Sequence, residues 1–275
     1  MSIRVMGVFA HPDDDSYLIA GTLLLHRGIV DLALVFATSG EAGPIADPSL
    51  ATRETLGAVR ESEQRAFLKA IGYPDARVEF LRHHDYYLPD VPLERLVEEV
   101  ESVLREVRPH VVVTFGPDGM TSHHDHIRAG EAATMAFDRV RGEAAPGQLA
   151  RLYHAVLARS DVDRFYAGVR AGGHDYGEEG RLFDMTGVPD ERIAVRVDTR
   201  PVRDRKLEGI RAHRTQQGEY ERIPEELRWL VLDSECFAQA RPVLDRPVRP
   251  RSDLLEDLPG ASTSGLPGAA REPEA

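Results

Sequence analysis

Short, almost wholly apolar runs alternate along this chain with longer segments of helical periodicity. The apolar runs cover residues 3–10, 32–37, 78–81 and 111–115, and the helix-period segments cover residues 16–27, 53–71 and 93–107. Such runs are typical of strands buried on both faces of a parallel sheet. The alternation therefore predicts an α/β fold with a doubly wound, mostly parallel, Rossmann-like sheet.

The pattern changes after the fourth run. A further helix is predicted over residues 123–140, strands over 152–157 and 193–197, and a helix over 202–214. From about residue 244 the sequence is rich in Pro, Arg, Asp, Gly and Ser, without the apolar periodicity that would offset the entropy cost of ordering the chain. In the 275 residues we expect one α/β domain over 1–243 and a disordered tail over 244–275.

Charge and cysteine content exclude several classes of protein. The 34 basic and 46 acidic side chains give a net charge of −12 with no basic cluster, which argues against binding nucleic acid. Cys236 is the only cysteine, so a metal would have to be held by His and carboxylate side chains. The apolar run that ends at His11 is too short for a signal peptide or a membrane span, so we expect a cytoplasmic protein that does not engage membranes.

Two clusters of chemically competent side chains stand out. His11-Pro12-Asp13-Asp14 follows the first apolar run, and Ser122-His123-His124-Asp125-His126 follows the fourth. The first cluster alone is as well explained by a polar turn that closes a strand. The second fits a helix cap, with Ser122 and Asp125 in the S-x-x-D pattern. Capping does not require three histidines in four residues, however.

Sheet topology links the two clusters. In the usual strand order 3-2-1-4 the first and fourth strands are neighbours, and ligands bind where the winding reverses between them. His11, Asp13, Asp14, His123 and His126 would then converge. A His/Asp/His set with an open position is a recognised form of catalytic zinc site, although such a site also accepts Fe²⁺ or Co²⁺.

The motifs also resemble those of the LmbE/PIG-L family. The resemblance covers about residues 3–217 and rests on residues 10–14, 21–23, 38–43, 60–63, 109–114, 123–126 and 212–216. Members of that family are metal-dependent, usually zinc-dependent, N-deacetylases of N-acetylglucosamine conjugates. The resemblance implies an LmbE-like fold, a Zn²⁺ cofactor and a small amino-sugar substrate.

The same resemblance assigns roles to residues. His11, Asp14 and His126 would be the metal ligands, and Asp13 the general base. His123 would stabilise the oxyanion or protonate the leaving amine, with Asp125 as the residue that orients it. Such a mechanism is chemically sound, because a metal polarises the amide and lowers the pKa of bound water while one carboxylate stays free to take a proton.

Other matches to the family are weaker. Arg60 and Asp85 correspond to sugar-contacting positions, although Arg60 is equally well explained as an exposed helix arginine paired with Glu61 or Glu63. His213 and Gln216 could dock their helix or contact substrate. The chain departs from the family at Asp15, usually Glu, and at Ser122, His124 and Thr121, which puts the fit of the substrate in question.

Three functions remain open at this point. The first is zinc-dependent removal of an acetyl group from an N-acetylglucosamine-type conjugate, and the second is an amidase acting on a related thiol or natural-product conjugate. The third is a non-catalytic, metal-containing Rossmann-like binding protein. A dinucleotide-binding protein is disfavoured, because the first strand is followed by His-Pro-Asp-Asp instead of G-x-G-x-x-G. The sequence leaves the oligomeric state open, with a homo-oligomer as one alternative.

Overall fold

The computed structural model describes residues 2–174 and 184–258. Its described part contains a seven-stranded sheet with the strand order β3-β2-β1-β4-β5-β7-β6. The strands are β1 (Ile3–Phe9), β2 (Val30–Thr38), β3 (Arg77–His83), β4 (Val111–Phe115), β5 (Arg151–Val156), β6 (Val195–Asp198) and β7 (Ser234–Arg241).

The first five strands are parallel, and the predicted order 3-2-1-4 is confirmed. Every residue of β4 is buried, and Gly7 of β1 lies opposite Val113 of β4. Apolar side chains on both faces of β1, β2 and β4 are covered by helices, as a parallel sheet requires, whereas the edge strand β3 buries only Phe80 and His83, so the expected burial of residues 78–81 on both faces is wrong. The carboxyl ends of β1 and β4 therefore meet at one edge, where the direction of winding reverses.

The other end of the sheet is antiparallel. The predicted strands 152–157 and 193–197 correspond to β5 and β6, and β7 pairs with both of them in antiparallel register. The sequence analysis did not predict β7, because the strand contains the charged residues Glu235 and Arg241. Partners distant in sequence satisfy them: Glu235 pairs with Lys206 at 2.7 Å, and Arg241 pairs with Asp138.

Helices cover both faces of the sheet. They are α1 (Asp14–Leu18), α2 (Ala20–Leu25), α3 (Leu56–Ile71), α4 (Leu93–Val107), α5 (Gly119–Ser122), α6 (His124–Arg141), α7 (Arg159–Ala171), α8 (Arg203–Ala212), α9 (Gln217–Glu221) and α10 (Trp229–Leu232). Helices α4 and α6 pack together on one face, and α2, α3 and α8 pack together on the other. None of the helices within residues 2–174 and 184–258 is both long and apolar enough to cross a membrane.

The predicted helix 16–27 is two short helices, α1 and α2, with a break at Ile19. The Glu235 carboxylate explains the break, because it accepts hydrogen bonds from the backbone amides of Gly21 and Thr22 at 2.7 and 2.8 Å. These amides belong to the first turn of α2, which has no intrahelical acceptor for them. A carboxylate supplied from β7 thus starts a new helix.

The predicted tail begins too early. Residues 251–258 follow the sheet edge, where the Arg251 amide donates to the Ala194 carbonyl at 2.9 Å, and Leu254, Leu255 and Leu258 are buried in the main core. The prediction of disorder from residue 244 therefore does not hold for 251–258, because a leucine triplet without regular periodicity still finds apolar partners. The remainder of the predicted tail, residues 259–275, lies outside the described residues.

A second hydrophobic cluster lies apart from the sheet core. It joins α7 to the segment around α10 and is called the outer cluster below. Its buried members are Val162, Phe165, Val169, Met185, Ile223, Leu227 and Leu230.

Candidate active site

The two predicted clusters meet at the carboxyl edge of the sheet. His11, Asp13 and Asp14 follow β1, whereas His123 and His126 lie at the start of α6, beyond β4. All five residues line one cavity of about 530 Å³. The register between β1 and β4 brings their carboxyl ends together, so the topological argument accounts for the convergence.

The loop after β1 has an unusual backbone. Asp13 has φ 124°, a backbone conformation that residues other than glycine rarely adopt. The loop is held in place by Ser16, whose amide and hydroxyl both donate to the Asp13 carbonyl, at 2.8 and 2.6 Å. Strain of this kind is typical of functional sites that the surrounding structure over-determines.

Asp14 is fixed by the chain that precedes it. Its Oδ2 accepts the backbone amides of Ala10 and His11 at 3.1 and 2.7 Å. Its Oδ1 lies 3.3 Å from Nε2 of His126. One oxygen is therefore used by the backbone, and the other faces the cluster.

The partners of the two histidines determine which nitrogen of each ring carries the proton. His126 places Nδ1 3.0 Å from the Gly119 carbonyl, so that nitrogen donates and the Nε2 lone pair is left for the cluster. His11 places Nε2 3.0 Å from Oδ1 of Asp85, so that nitrogen donates and Nδ1 is left. The two nitrogens that are left lie 3.1 Å apart. In two neutral rings two lone pairs would meet at this distance, so both nitrogens are satisfied only by a proton shared between them or by a metal cation in its place.

This arrangement passes a test of fit for a divalent metal. Bonds of about 2.0–2.1 Å to a tetrahedral ion place ligand atoms about 3.3 Å apart. The atoms that face one another are 3.1 Å apart for the two nitrogens and 3.3 Å apart for Nε2 of His126 and Oδ1 of Asp14, whereas Oδ2 of Asp14, which the backbone holds, lies 3.8 Å from Nδ1 of His11. Each ring also has the supporting acceptor that metal-bound histidines usually have.

Other trios in the same region bring their ligand atoms within 4.8 Å of one another. They are His11 with His123 and His126, His123 with His124 and Asp125, and His11 with Asp85 and Asp125. Their oxygens or nitrogens already serve other hydrogen bonds: Nδ1 of His123 accepts the Asp125 amide, and Asp85 accepts the Ala42 amide. The chain thus holds a His/Asp cluster able to bind a metal, and the trio of His11, Asp14 and His126 has the least committed lone pairs.

The cluster is strongly polarised. Burial lowers the pKa of His11. Its hydrogen bonds to the carboxylates of Asp125, Asp14 and Asp85 outweigh burial and hold this pKa well above its usual value. Burial raises the pKa of Asp14, but the neighbouring rings of His126 and His11 outweigh it and hold this pKa well below its usual range. The site therefore favours an ionised carboxylate facing positive charge.

His123 differs from the other two rings. Its Nδ1 accepts the Asp125 backbone amide at 3.2 Å, which makes it the N-cap of α6. Burial, followed by the charges of His11 and His126, lowers the pKa of His123 to about 4. The ring is then neutral at pH 7 with its proton on Nε2, beside His11 at a ring-centroid distance of 4.8 Å.

Asp125 contacts two of the histidines through different groups. Its fully buried carboxylate accepts the amides of Tyr86 and Leu88 and lies 3.3 Å from Nε2 of His11. Its bond to His123 comes from the backbone instead. The carboxylates of Asp125 and Asp85 therefore orient His11, and the backbone amide of Asp125 is the group that contacts His123.

Arg60 is buried, with 3% of its surface exposed, so the alternative of an exposed helix arginine is wrong. One terminal nitrogen donates to the Gly40 carbonyl at 2.9 Å, and the other lies 2.7 Å from the Pro12 carbonyl and 3.1 Å from Oδ1 of Asp13. Its guanidinium lines the cavity but is engaged mainly by the chain itself. Asp85 also lines the cavity.

The remaining predicted positions divide between packing and the cavity wall. His213 is buried against Phe67, and burial, with a contribution from Arg60, lowers its pKa to about 3, which favours a structural role for the ring. Gln216 lines the cavity and donates to the Pro44 carbonyl. Thr121 also lines the cavity, whereas His124 contacts the Tyr86 carbonyl at 2.7 Å.

Asp15, the departure next to the proposed ligand, is fully buried and accepts from Gln64 at 2.8 Å. Burial, followed by the charges of Asp14 and Asp13, raises its pKa well above the usual value. The shorter carboxylate is thus accommodated behind the loop.

Sequence reasoning missed one side of the cavity. Phe165, Met185, Ile223 and Leu230 of the outer cluster line it, and none was proposed as a site residue. The spacing of Val162, Phe165 and Val169 is that of an amphipathic helix and could have identified α7. Nothing in the sequence placed that helix beside the motifs.

The sequence is similar to those of known deacetylases. Residues 6–137 match the family model described as "PIG-L: GlcNAc-PI de-N-acetylase". A curated relative from Streptomyces griseus, a 1D-myo-inositol 2-acetamido-2-deoxy-alpha-D-glucopyranoside deacetylase, is 31% identical over 99% of this chain and 94% of its own length. A relative of the same name from Thermobispora bispora is 30% identical over 78% of this chain and 79% of its own.

Solved structures share the fold. The N,N'-diacetylchitobiose deacetylase of Pyrococcus horikoshii superposes with a TM-score of 0.57 at 20% identity, covering 86% of this chain and 83% of that one. The 4-carboxy-2-hydroxymuconate hydratase of Pseudomonas putida superposes with a TM-score of 0.60 at 18% identity, covering 90% of this chain and all of that one. At these identities the likeness shows the fold alone.

Proposed function

This chain belongs to the PIG-L (LmbE-like) family of N-deacetylases, and we propose that it removes the acetyl group from a small N-acetylglucosamine conjugate. One observation carries the proposal: a His/Asp/His set with facing lone pairs shares its cavity with a separate, held carboxylate and a neutral histidine. Amide hydrolysis needs these three elements together.

The proposed metal ligands are His11, Asp14 and His126, and the proposed cofactor is Zn²⁺, with Fe²⁺ or Co²⁺ as alternatives. A divalent cation bound there supplies Lewis-acid polarisation of the amide carbonyl and lowers the pKa of water. The chain's own contribution is to fix the two imidazole tautomers, through the Gly119 carbonyl for His126 and through Asp85 and Asp125 for His11.

Asp13 is the proposed general base. It is not needed to complete the metal trio, it lines the same cavity, and the 3.1 Å contact with Arg60 holds its carboxylate in place. It would take a proton from the attacking water as the C–O bond forms, and that proton would pass to the nitrogen as the C–N bond breaks. Acetate and a primary amine leave in equal amounts.

His123 is the proposed oxyanion donor. A neutral ring with its proton on Nε2 can donate to developing negative charge without first losing a proton. Asp125 then acts as a positioning residue, through its backbone amide for His123 and through its carboxylate for His11. Contact of Arg60 and Asp85 with the substrate stays a prediction. Both side chains already bond to other parts of the protein, and those bonds hold Asp13 and His11 in place.

The deciding experiment measures acetate and primary amine released from N-acetylglucosamine conjugates by the zinc-loaded protein. Equimolar acetate and amine, lost in Asp13→Asn, would support the deacetylase over a non-catalytic metal protein. Release of amine and octanoate from an N-octanoylglucosamine glycoside, with neither amine nor acetate from the N-acetyl compounds, would indicate an amidase that cleaves a different acyl group. Neither product, with one metal bound per chain, would overturn the proposal.

A further inference from the structure

The cavity has two walls of opposite chemistry. One wall is the polar cluster described above, formed by loops after β1 and β4. The facing wall is apolar and comes from another part of the chain: Leu157, Phe165, Met185, Ile223, Leu230 and Val231. Among the described residues of this second region, Asp184, Gln216 and Tyr220 add polar groups to the cavity lining.

The two walls also come from different parts of the sequence. The polar wall lies within residues 6–137, which match the family model, and the apolar wall lies within residues 157–231, beyond it. The apolar wall belongs to the outer cluster, which is separate from the core of the sheet. The carboxyl edge of the sheet, where the polar wall lies, therefore does not need the apolar wall for support.

Continuity between the walls restricts the substrate. A molecule whose amide lies at His11 and His123 extends into the rest of the same cavity, and thus along Phe165 and Ile223. Hydroxyl groups placed against the apolar side chains would lose their hydrogen bonds to water without finding replacements on them, whereas an alkyl or aryl group would be removed from water. A polyol such as inositol is therefore poorly matched to this wall.

We propose that the conjugate carries a hydrophobic alkyl or aryl substituent and that the apolar wall selects it. The inference rests on the proposed deacetylase function and specifies its substrate class. Two sources share the required chemistry: a hydrophobic aglycone on the sugar, with acetyl as the group removed, or an acyl group longer than acetyl on the nitrogen, which would widen the proposed deacetylation to deacylation. Both place apolar atoms next to the amide-binding cluster.

Steady-state kinetics with matched substrates test the proposal. The glucosamine core is kept, and kcat/KM is measured for the methyl, n-octyl and inositol N-acetylglucosaminides and for the methyl glycoside of N-octanoylglucosamine. We expect at least one octyl-bearing compound to exceed the methyl N-acetylglucosaminide by about tenfold or more, the size of effect that apolar pockets give. The compound that gains identifies the source. An inositol conjugate that exceeds both octyl compounds would overturn the proposal.

Binding provides a readout that does not depend on turnover. Trp229 is the only tryptophan and packs against the outer cluster, so its fluorescence reports on this wall. Below its micelle concentration, n-octyl N-acetylglucosaminide should change the emission and saturate at least about tenfold lower than the methyl compound. Saturable octyl binding without hydrolysis of any compound would refute the deacetylase and retain the apolar wall. Hydrolysis without any preference for an octyl compound would support the deacetylase and refute the role of the apolar wall.

A pair of valine variants locates the effect. Val231→Asn puts an amide into the apolar wall and should reduce the octyl-to-methyl ratio of kcat/KM by about tenfold. Val243→Asn makes the same change at a site that is 64% exposed and outside the cavity lining, so it should leave that ratio unchanged. An equal loss of the ratio in both variants would contradict the assignment. If Val231→Asn does not fold, the wild-type substrate series still decides.

Discussion

The backbone amide of Asp125 donates a hydrogen bond to Nδ1 of His123 at 3.2 Å, so a single ring caps α6 and directs its other nitrogen away from that helix. The cap requires only an acceptor at this position, whereas oxyanion stabilisation requires a donor on the far side of the ring. Because the two requirements differ, substitution can separate the structural role of His123 from its proposed catalytic role.

His123→Asn and His123→Ala should lower kcat to a similar degree and differ in stability. Asparagine is a good N-cap, whereas loss of the cap in alanine costs about 0.5–2 kcal/mol of unfolding free energy. Neither residue offers an imidazole donor, so kcat should fall by roughly 10² or more in both, with bound metal unchanged. Acetate release, metal analysis and urea unfolding measure the three quantities. Normal turnover in His123→Asn would reduce the ring to a helix cap.

Arg60→Lys should act through Asp13. Lysine keeps the charge but cannot replace the fork that contacts Asp13, Pro12 and Gly40 together. A displaced base should lower kcat by about 10² with KM little changed. Arg65→Lys makes the same change at an exposed position of α3 and should leave both constants unchanged. A rise in KM with normal kcat would instead show that Arg60 binds substrate, as the family resemblance implies.

The adjacent aspartates should separate by metal content. Asp14→Asn weakens a proposed ligand, so bound zinc should fall and excess zinc should restore part of the activity. Asp13→Asn should retain zinc yet lose about 10² to 10⁴ in kcat, the usual range for a general base, without rescue. Metal analysis after dialysis, beside acetate release with and without added zinc, measures both. The reverse pattern would exchange the two roles.

Stability should depend on pH through His26 and Asp253. Burial lowers the pKa of His26, but the Asp253 carboxylate at 3.0 Å and the Thr22 carbonyl outweigh burial and raise this pKa above 6.5. A raised folded-state pKa gives stability that is fully present below about pH 6.5 and is lost as pH rises through the folded value.

Asp253→Asn should therefore lose about 1.5–3 kcal/mol of unfolding free energy at pH 6, the contribution of a hydrogen bond to a charged group, and less at pH 9. Urea unfolding at both pH values measures the difference. Asp245→Asn, an exposed change nearby, should match the wild type throughout. A deficit of equal size at pH 6 and pH 9 would contradict the charged pair.

The sequence predicted the polar wall of the cavity better than the apolar wall. Buried parallel strands are continuous apolar runs, so their order and the meeting of His11 with His126 could be inferred from local patterns. β7 could not be inferred, because Glu235 looks unsuited to a strand until Lys206 and the start of α2 are placed around it. Phe165 was missed for a related reason, since an apolar side chain does not indicate which cavity it faces.

The tail shows the same limit. Regular periodicity detects segments that form helices or strands, but residues 251–258 are fixed by irregular contacts with elements far away in sequence. His26 and Asp253 are separated by 227 positions, and the sequence around either residue does not predict its contact with the other. Contacts of this kind follow from the completed fold and not from local sequence.

The contact between Arg60 and the Gly40 carbonyl also has an evolutionary consequence. A Cβ atom added at Gly40 would lie 2.3 Å from a guanidinium nitrogen of Arg60, and the backbone there has φ 67°. A side chain at position 40 would therefore displace the arginine, and with it Asp13. Positions 13, 40 and 60 should consequently be inherited together. A lineage that lost Asp13 would be free to change all three, so under the proposed role of Asp13 the triplet marks the descendants that still carry out the chemistry.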